Sequence, residues 1–104
     1  MSAPAQETGI TVFARFHALP GCEARVETAI RQSVAGSRLE PGCQLIQGFR
    51  SLRDARLFFI HSRWRDEDAF DLHATLPHTV HFLATVQPLI DHPLDVIRSV
   101  CFTD

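Results

Sequence analysis

The residues best suited to chemistry lie in one stretch, from Leu57 to Leu83. Trp64, the single tryptophan, ends an apolar and aromatic run, and His73 follows it in a segment with helical spacing. An imidazole with an ordinary pKa of about 6.5 accepts a proton at neutral pH, so His73 is a candidate general base. A flat indole can stack on an aromatic substrate. The plain alternatives are a tryptophan that anchors the core and a histidine hydrogen-bonded at the helix–sheet boundary.

Three histidines, His73, His78 and His81, form a second pattern that could bind a metal ion. His78 and His81 are three residues apart and share one face of a helix. Pro77 reorients the chain between His73 and that pair, and no carboxylate or cysteine completes a convincing set of ligands. The sequence therefore predicts no metal site.

The periodicity of apolar residues predicts four strands and three helices that position these side chains. The predicted strands are Ile10–Ala18, Cys43–Arg50, Arg56–Arg65 and Leu94–Phe102, and the predicted helices are Cys22–Leu39, Asp66–Leu76 and a third from Pro77 to about Ile90. Asp66 is a good N-cap, and proline suits the first position of a helix. A second proline, Pro88, is expected to bend or end the third helix.

The order of these elements is β-α-β-β-α-β, with the second helical segment broken in two. This order predicts an α+β, ferredoxin-like fold: a four-stranded antiparallel sheet with helices on one face. In the third strand Ser62 and Trp64 share a face, while Leu57 and Phe59 make the opposite face apolar as well. Because the helices cover only one face, we expect a homodimer with the sheets packed face to face, a dimeric α/β barrel.

Length and composition exclude several classes of protein. The 104 residues fit one domain, expected over residues 10–104 after a flexible tail over residues 1–9. A net charge of −2 predicts no nucleic-acid or membrane partner. The absence of lysine excludes Schiff-base chemistry. Cys22, Cys43 and Cys101 form no Cys-x-x-Cys pair, and no apolar run approaches the ~20 residues of a membrane span, so a reducing cytoplasm is the expected location.

A series of short motifs then points to a family. In chain order these are Pro20-Gly21, Glu40-Pro41-Gly42-Cys43, Trp64 followed by acidic residues and Ala69, His73, Pro77-His78, Phe82 and Pro88-Leu89. The series covers almost the whole chain after Gly9. It resembles the antibiotic biosynthesis monooxygenase family, the small dimeric α+β barrel proteins that include quinol monooxygenases.

The resemblance implies a substrate pocket between the sheet and the helices of each subunit. It implies His73 and Trp64 as catalytic residues. The side chains expected to contact the substrate are Ala14, Phe16, Ile46, Ser62, Phe70 and Leu83. Cofactor-free members of the family oxidise phenols or quinols with molecular oxygen after the substrate loses a proton. The implied function is therefore a cofactor-independent monooxygenase with a small aromatic substrate, O2 as co-substrate and no cofactor or metal.

The chain departs from the family pattern at several positions. Ser62 stands where a glutamate commonly occurs, and Ile46 stands where a tyrosine often occurs. Haem-degrading relatives carry an asparagine at the position of Ala14 and a histidine near Leu83, so haem cleavage is not expected. The missing glutamate and tyrosine favour an alternative, a non-catalytic dimer that binds small apolar molecules. A third interpretation is an interaction module without a pocket.

Overall fold

The computed structural model describes residues 9–103, so residues 1–8 of the predicted tail lie outside it. The strands are β1 (Ile10–His17), β2 (Cys43–Arg50), β3 (Leu57–Trp64) and β4 (Asp95–Ser99). The helices are α1 (Glu23–Ser37), α2 (Glu67–Thr75) and α3 (Pro77–Val86), and a short 3-10 turn, Gln87–Leu89, follows α3. Within the described residues no helix is long and apolar enough to cross a membrane.

The four strands form one antiparallel sheet in the order β2-β3-β1-β4. The predicted α+β, ferredoxin-like fold is confirmed. The alternation of faces also follows the prediction, because Phe16 pairs with Phe58 and Ile46 pairs with Ser62, all on the side of the helices.

Two elements end three or more residues earlier than the sequence predicts. Pro88 lacks an N–H donor and its ring clashes with the preceding turn, so α3 stops at Val86 and the chain continues as the 3-10 turn. β4 stops at Ser99 rather than Phe102. Among the described residues the neighbour of β4 is β1, and their pairing ends at the couple Thr11 and Ser99. The residues after Ser99 have no partner strand within residues 9–103.

The core lies between the sheet and the helices. Phe16 is almost fully buried and meets Phe82 of α3 edge to face, with ring centroids 5.6 Å apart. α1 packs directly on the backbone of β2 at Gly48, where an added Cβ would lie only 2.9 Å from the Ile30 side chain. A second cluster of buried residues at the other end of the sheet includes Trp64.

The opposite face of the sheet is apolar and open. Phe13 and Phe49 are each 50% exposed and Ile97 is 58% exposed. Phe13 lies on this face opposite His61, with which it stacks at 5.2 Å, and opposite Ile97. Within residues 9–103 no element covers these side chains.

His17, at the end of β1, ties three segments together. Its Nδ1 lies 2.6 Å from Asp91, which follows the 3-10 turn, and its Nε2 lies 2.9 Å from Asp54, in the turn between β2 and β3. Ionised carboxylates only accept hydrogen bonds, so the ring donates from both nitrogens and is a cation. The bonds to Asp91 and Asp54 raise the pKa of His17. The pKa of Asp54 is lowered by the Arg56 backbone and by His17, and that of Asp91 mainly by His17.

The His17 contacts predict a pH-dependent contribution to stability. A histidine with a raised pKa stabilises the fold fully below its unfolded value, 6.5, and loses that contribution as pH rises through the folded value. The lowered pKa values of the two aspartates matter only below about pH 4. His17→Asn should therefore destabilise the protein more at pH 5.5 than at pH 8.5 in urea unfolding. The matched control is His81→Asn, on the exposed side of α3, and an equal loss for His17→Asn at both pH values would contradict the prediction.

Candidate functional site

Trp64 lies at the end of β3 on the face that meets the helices, and it is fully buried. Ser62 is two residues earlier and shares that face because successive strand residues alternate. The indole Nε1–H donates a 2.9 Å hydrogen bond to the Ser62 hydroxyl. The hydroxyl therefore satisfies the buried indole N–H and fixes the orientation of the ring.

Helix α2 brings two more rings to Trp64. The carboxylate of Asp66 accepts a 2.8 Å hydrogen bond from the Ala69 N–H and caps the helix, as the sequence predicts. Phe70 and His73 are three residues apart and lie on the same face of α2. Their ring centroids lie 5.5 Å and 4.4 Å from that of Trp64.

Glu40, from the turn between α1 and β2, completes the arrangement. Its Oε2 lies 2.7 Å from Nδ1 of His73 and 2.7 Å from Nε2 of His78. An ionised carboxylate can only accept, so the hydrogen-bond pattern places a hydrogen on both of these ring nitrogens. Neutral His73 then carries its free lone pair on Nε2. This tautomer leaves Nε2 as the atom that can take a proton from a substrate.

The environment of His73 keeps the imidazole neutral at pH 7. Burial lowers the pKa of His73 below 6.5, the hydrogen bond and charge of Glu40 oppose this shift, and the nearby His78 adds a small lowering effect. The net direction is downward, so the ring is unprotonated at neutral pH. A neutral imidazole oriented by a carboxylate is an arrangement suited to general-base chemistry.

Among the described residues, Glu40, His73 and His78 are also the side chains that could hold a metal ion. The ligand atoms of Glu40, His73 and His78 all lie within 4.8 Å of one another, and zinc is bound by such nitrogen and oxygen donors. The two 2.7 Å contacts, however, have the length of hydrogen bonds. Glu40, His73 and His78 thus form a hydrogen-bonded network. The absence of a metal site stays a prediction.

The structure brings together four of the eight predicted site residues. The rings of Trp64, Phe70 and His73 contact one another, and Ser62 contacts Trp64. The other four belong to the main core: Ala14, Phe16, Ile46 and the partly buried Leu83. Of these, Ile46 lies beside the cluster, because it pairs with Ser62 across β2 and β3.

Sequence reasoning missed Glu40. The motif Glu40-Pro41-Gly42-Cys43 contains this residue but assigns it no chemical role. Glu40 is 33 residues from His73 and 38 residues from His78, so helical periodicity cannot predict these contacts. The signal that could have found Glu40 is its position: it is an acidic residue immediately before Pro41-Gly42, at the start of β2.

Comparison with known proteins places this chain in a family. Residues 9–85, more than half of the chain, match the family Antibiotic biosynthesis monooxygenase. The chain belongs to that family. The resemblance seen in the sequence is therefore confirmed.

A curated relative and solved structures agree with this assignment. "Putative monooxygenase YcnE" of Bacillus subtilis is 32% identical over 66 residues, which are 64% of this chain and 70% of that protein. The crystal structure of PA3566 from Pseudomonas aeruginosa is 27% identical, covers 92% of this chain and 96% of its own, and has a TM-score of 0.85. A mutant of SnoaB, a cofactor-independent oxygenase from Streptomyces nogalater, is 18% identical with a TM-score of 0.83, covers 93% of this chain and 96% of its own, and supports the fold alone.

Proposed function

We propose that this chain is a cofactor-independent monooxygenase that oxidises a small aromatic or quinol-like substrate with molecular oxygen. The observation that carries the proposal is the geometry of His73. Its Nδ1 is held by Glu40 at 2.7 Å, its ring lies 4.4 Å from the buried indole of Trp64, and its pKa is lowered. A neutral base beside an aromatic surface, with water excluded, suits the removal of a phenolic proton.

The proposed reaction needs no group beyond substrate and O2. Nε2 of His73 takes the hydroxyl proton of a hydroquinone, and the electron-rich anion reacts with O2 to form a carbon–oxygen bond. The O–O bond then breaks. One oxygen stays on the ring, which becomes a hydroxyquinone, and the other leaves as water with the proton returned by His73. The substrate supplies all the electrons, so hydroquinone plus O2 gives hydroxyquinone plus water.

Phe70 is the side chain that we assign to substrate entry. It is partly buried, and its ring lies between that of Trp64, at 5.5 Å, and the guanidinium of Arg98, at 4.8 Å. Trp64 itself is fully buried, so a substrate ring must displace a neighbour in order to stack on it. Rotation of Phe70 toward solvent would open a space of one aromatic ring beside both Trp64 and His73.

The direct test is oxygen uptake on a panel of benzohydroquinones and naphthohydroquinones, corrected for uncatalysed oxidation. With 18O2 the product should gain one labelled oxygen, and the second label should appear in water. Uptake no faster than that of the protein-free blank across the panel would overturn the proposal.

A second candidate is a non-catalytic protein that binds small apolar molecules. It is favoured by the pairing of Ser62 with Trp64, because the indole N–H already occupies the Ser62 hydroxyl. A ligand of such a protein would raise the melting temperature without any oxygen uptake. The oxygen assay and thermal-shift measurements on the same compounds separate the two functions.

The assembly that we propose is a homodimer in which the open sheet faces of two copies cover each other. Support comes from the exposed apolar side chains of Phe13, Phe49 and Ile97, which lie on three of the four strands of one face. Adjacent exposed apolar side chains of this kind mark interaction surfaces. We also propose a cytoplasmic location, because neither Cys22 nor Cys43 forms a disulfide within the described residues.

Phe13→Glu should disrupt this dimer. An unpaired carboxylate buried in an apolar interface costs about 3–5 kcal/mol, which would convert a micromolar dimer to monomer. Size-exclusion chromatography with light scattering measures the change. The control is Leu52→Glu, which adds the same charge at a fully exposed position in the β2–β3 turn and should leave the dimer intact. A wild-type monomer at micromolar concentration would contradict the assembly without affecting the chemistry at His73.

A further inference from the structure

A groove of about 560 Å³ runs between α1 and the edge strand β2. Its residues are Glu27, Ile30, Arg31, Val34, Ala35, Arg38, Gln47, Gly48, Phe49, Arg50 and Phe58. The buried side chains among them, Ile30, Val34 and Phe58, give the groove an apolar floor. None of these residues belongs to the Trp64 and His73 cluster.

The rim of the groove carries an excess of positive charge. Three arginines, Arg31, Arg38 and Arg50, face a single carboxylate, that of Glu27. Arg31 holds Glu27 at 2.9 Å, whereas the contact from Arg50 to Glu27 is long, at 3.5 Å. The Arg50 guanidinium therefore has donors to offer a second carboxylate, and such charge-assisted bonds are among the stronger polar contacts.

The backbone of β2 adds a further donor. Ser51 donates its N–H to Leu57 across the hairpin, whereas the carbonyl of Ile46 accepts from Arg38 at 3.0 Å. Backbone groups of successive residues point to opposite edges of a strand, so the even-numbered residues of β2 point away from β3. Gly48 thus directs its N–H toward the free edge, and it has no side chain to shield that N–H.

We propose that this groove binds a small organic carboxylate with an apolar body, such as an aromatic acid. The apolar body rests on Ile30, Val34 and Phe58, and the carboxylate binds to the Arg50 guanidinium and the Gly48 N–H. The volume falls within the range of small-molecule sites. The proposal is independent of the monooxygenase function, because it uses no residue assigned to that reaction.

The geometry favours a small molecule over an extended peptide. A peptide that joined the sheet along β2 would need the outward carbonyls and N–H groups of several successive even-numbered residues. The Arg38 guanidinium already occupies the Ile46 carbonyl through both Nε and Nη2, at 3.3 Å and 3.0 Å. This leaves a short free edge around Gly48, long enough for one carboxylate.

The test is a two-dimensional 1H–15N NMR titration of the full chain with 2-naphthoate, and in parallel with 2-naphthalenemethanol as an uncharged analogue. Naphthoate should shift the amide signals of Ile30, Gly48 and Arg50 and bind with a Kd of ~0.1–1 mM, the affinity expected of so small a ligand. The alcohol should bind at least about fivefold more weakly, since it lacks the charge-assisted bonds.

Two variant pairs locate the ligand. Arg50→Gln should weaken naphthoate binding about five- to tenfold, while Arg53→Gln, the same change in the exposed turn outside the groove, should leave it unchanged. Ala35→Trp, at an exposed position on the groove wall, should fill the space and abolish binding. Ala24→Trp, near the start of the same helix and outside the groove, should not.

Three outcomes would overturn the proposal. They are the absence of shifts at millimolar naphthoate, equal affinity for the uncharged alcohol, and shifts concentrated at Trp64, Phe70 and His73. The last outcome would assign the ligand to the proposed catalytic site instead. Since no readout depends on turnover, a failed oxygen assay has no bearing on the result.

Discussion

Replacing His73 with glutamine is expected to lower the turnover of any hydroquinone that the chain oxidises by about 10²–10⁴-fold, the usual contribution of a general base. Glutamine keeps a polar side chain of similar reach but cannot take up a proton at neutral pH. The measurement is oxygen uptake at saturating substrate. Turnover retained within a few-fold of wild type would remove His73 from the mechanism.

The pH profile distinguishes a base from a merely structural histidine. Burial lowers the pKa of His73, so the wild-type rate should rise with pH through a value below 6.5 and stay level above it. Glu40 opposes that shift, so Glu40→Gln should move the rising limb to lower pH. The amide of glutamine can still accept the Nδ1–H bond, so orientation is largely kept.

His78→Asn is the matched control for the Glu40 variant. It removes the other hydrogen bond to Glu40 but keeps the carboxylate beside His73. The charge of His78 slightly lowers the pKa of His73, so this variant should move the limb in the opposite direction, toward higher pH, and only weakly. If neither variant shifts the rising limb of the pH–rate profile, the group that titrates in that profile is not His73.

The parts of the fold that follow from local rules could be predicted from the sequence. Strand alternation placed Ser62 and Trp64 on the inner face, and the N-cap at Asp66 set the start of α2. The extent of β4 could not be predicted, because it depends on where its antiparallel neighbour β1 begins. Apolar residues such as Val100 and Phe102 fit a strand pattern although they have no partner strand within the described residues.

The candidate site shows the same division between local and long-range information. Spacing predicted that Phe70 and His73 share a helical face, and the structure places both against Trp64. Glu40 reaches His73 only because α1 and β2 are joined by a turn that lies beside α2. Gly42 permits this close approach, since an added Cβ there would meet the Ala69 side chain at 2.5 Å. A contact that depends on the packing of three elements has no signature within any one of them.

Trp64→Ala is expected to lower the free energy of unfolding by about 3–5 kcal/mol, the range for removing a large aromatic side chain from a core. The indole is fully buried and packs on two rings. Urea unfolding followed by circular dichroism gives the value without relying on tryptophan fluorescence. For a domain of this size the loss corresponds to a fall in Tm of more than 10 °C.

Trp64→Phe separates the ring from its hydrogen bond. Phenylalanine keeps much of the apolar contact but leaves the Ser62 hydroxyl buried without the indole donor, at a cost of about 1–3 kcal/mol. Adding Ser62→Ala should recover part of that cost, because both polar partners are then absent. If Trp64→Ala lowers the free energy of unfolding by less than about 1 kcal/mol, the side chains around Trp64 rearrange at little cost in free energy. Substrate entry beside the indole would then need far less rearrangement than the rotation of Phe70 assigned to it here.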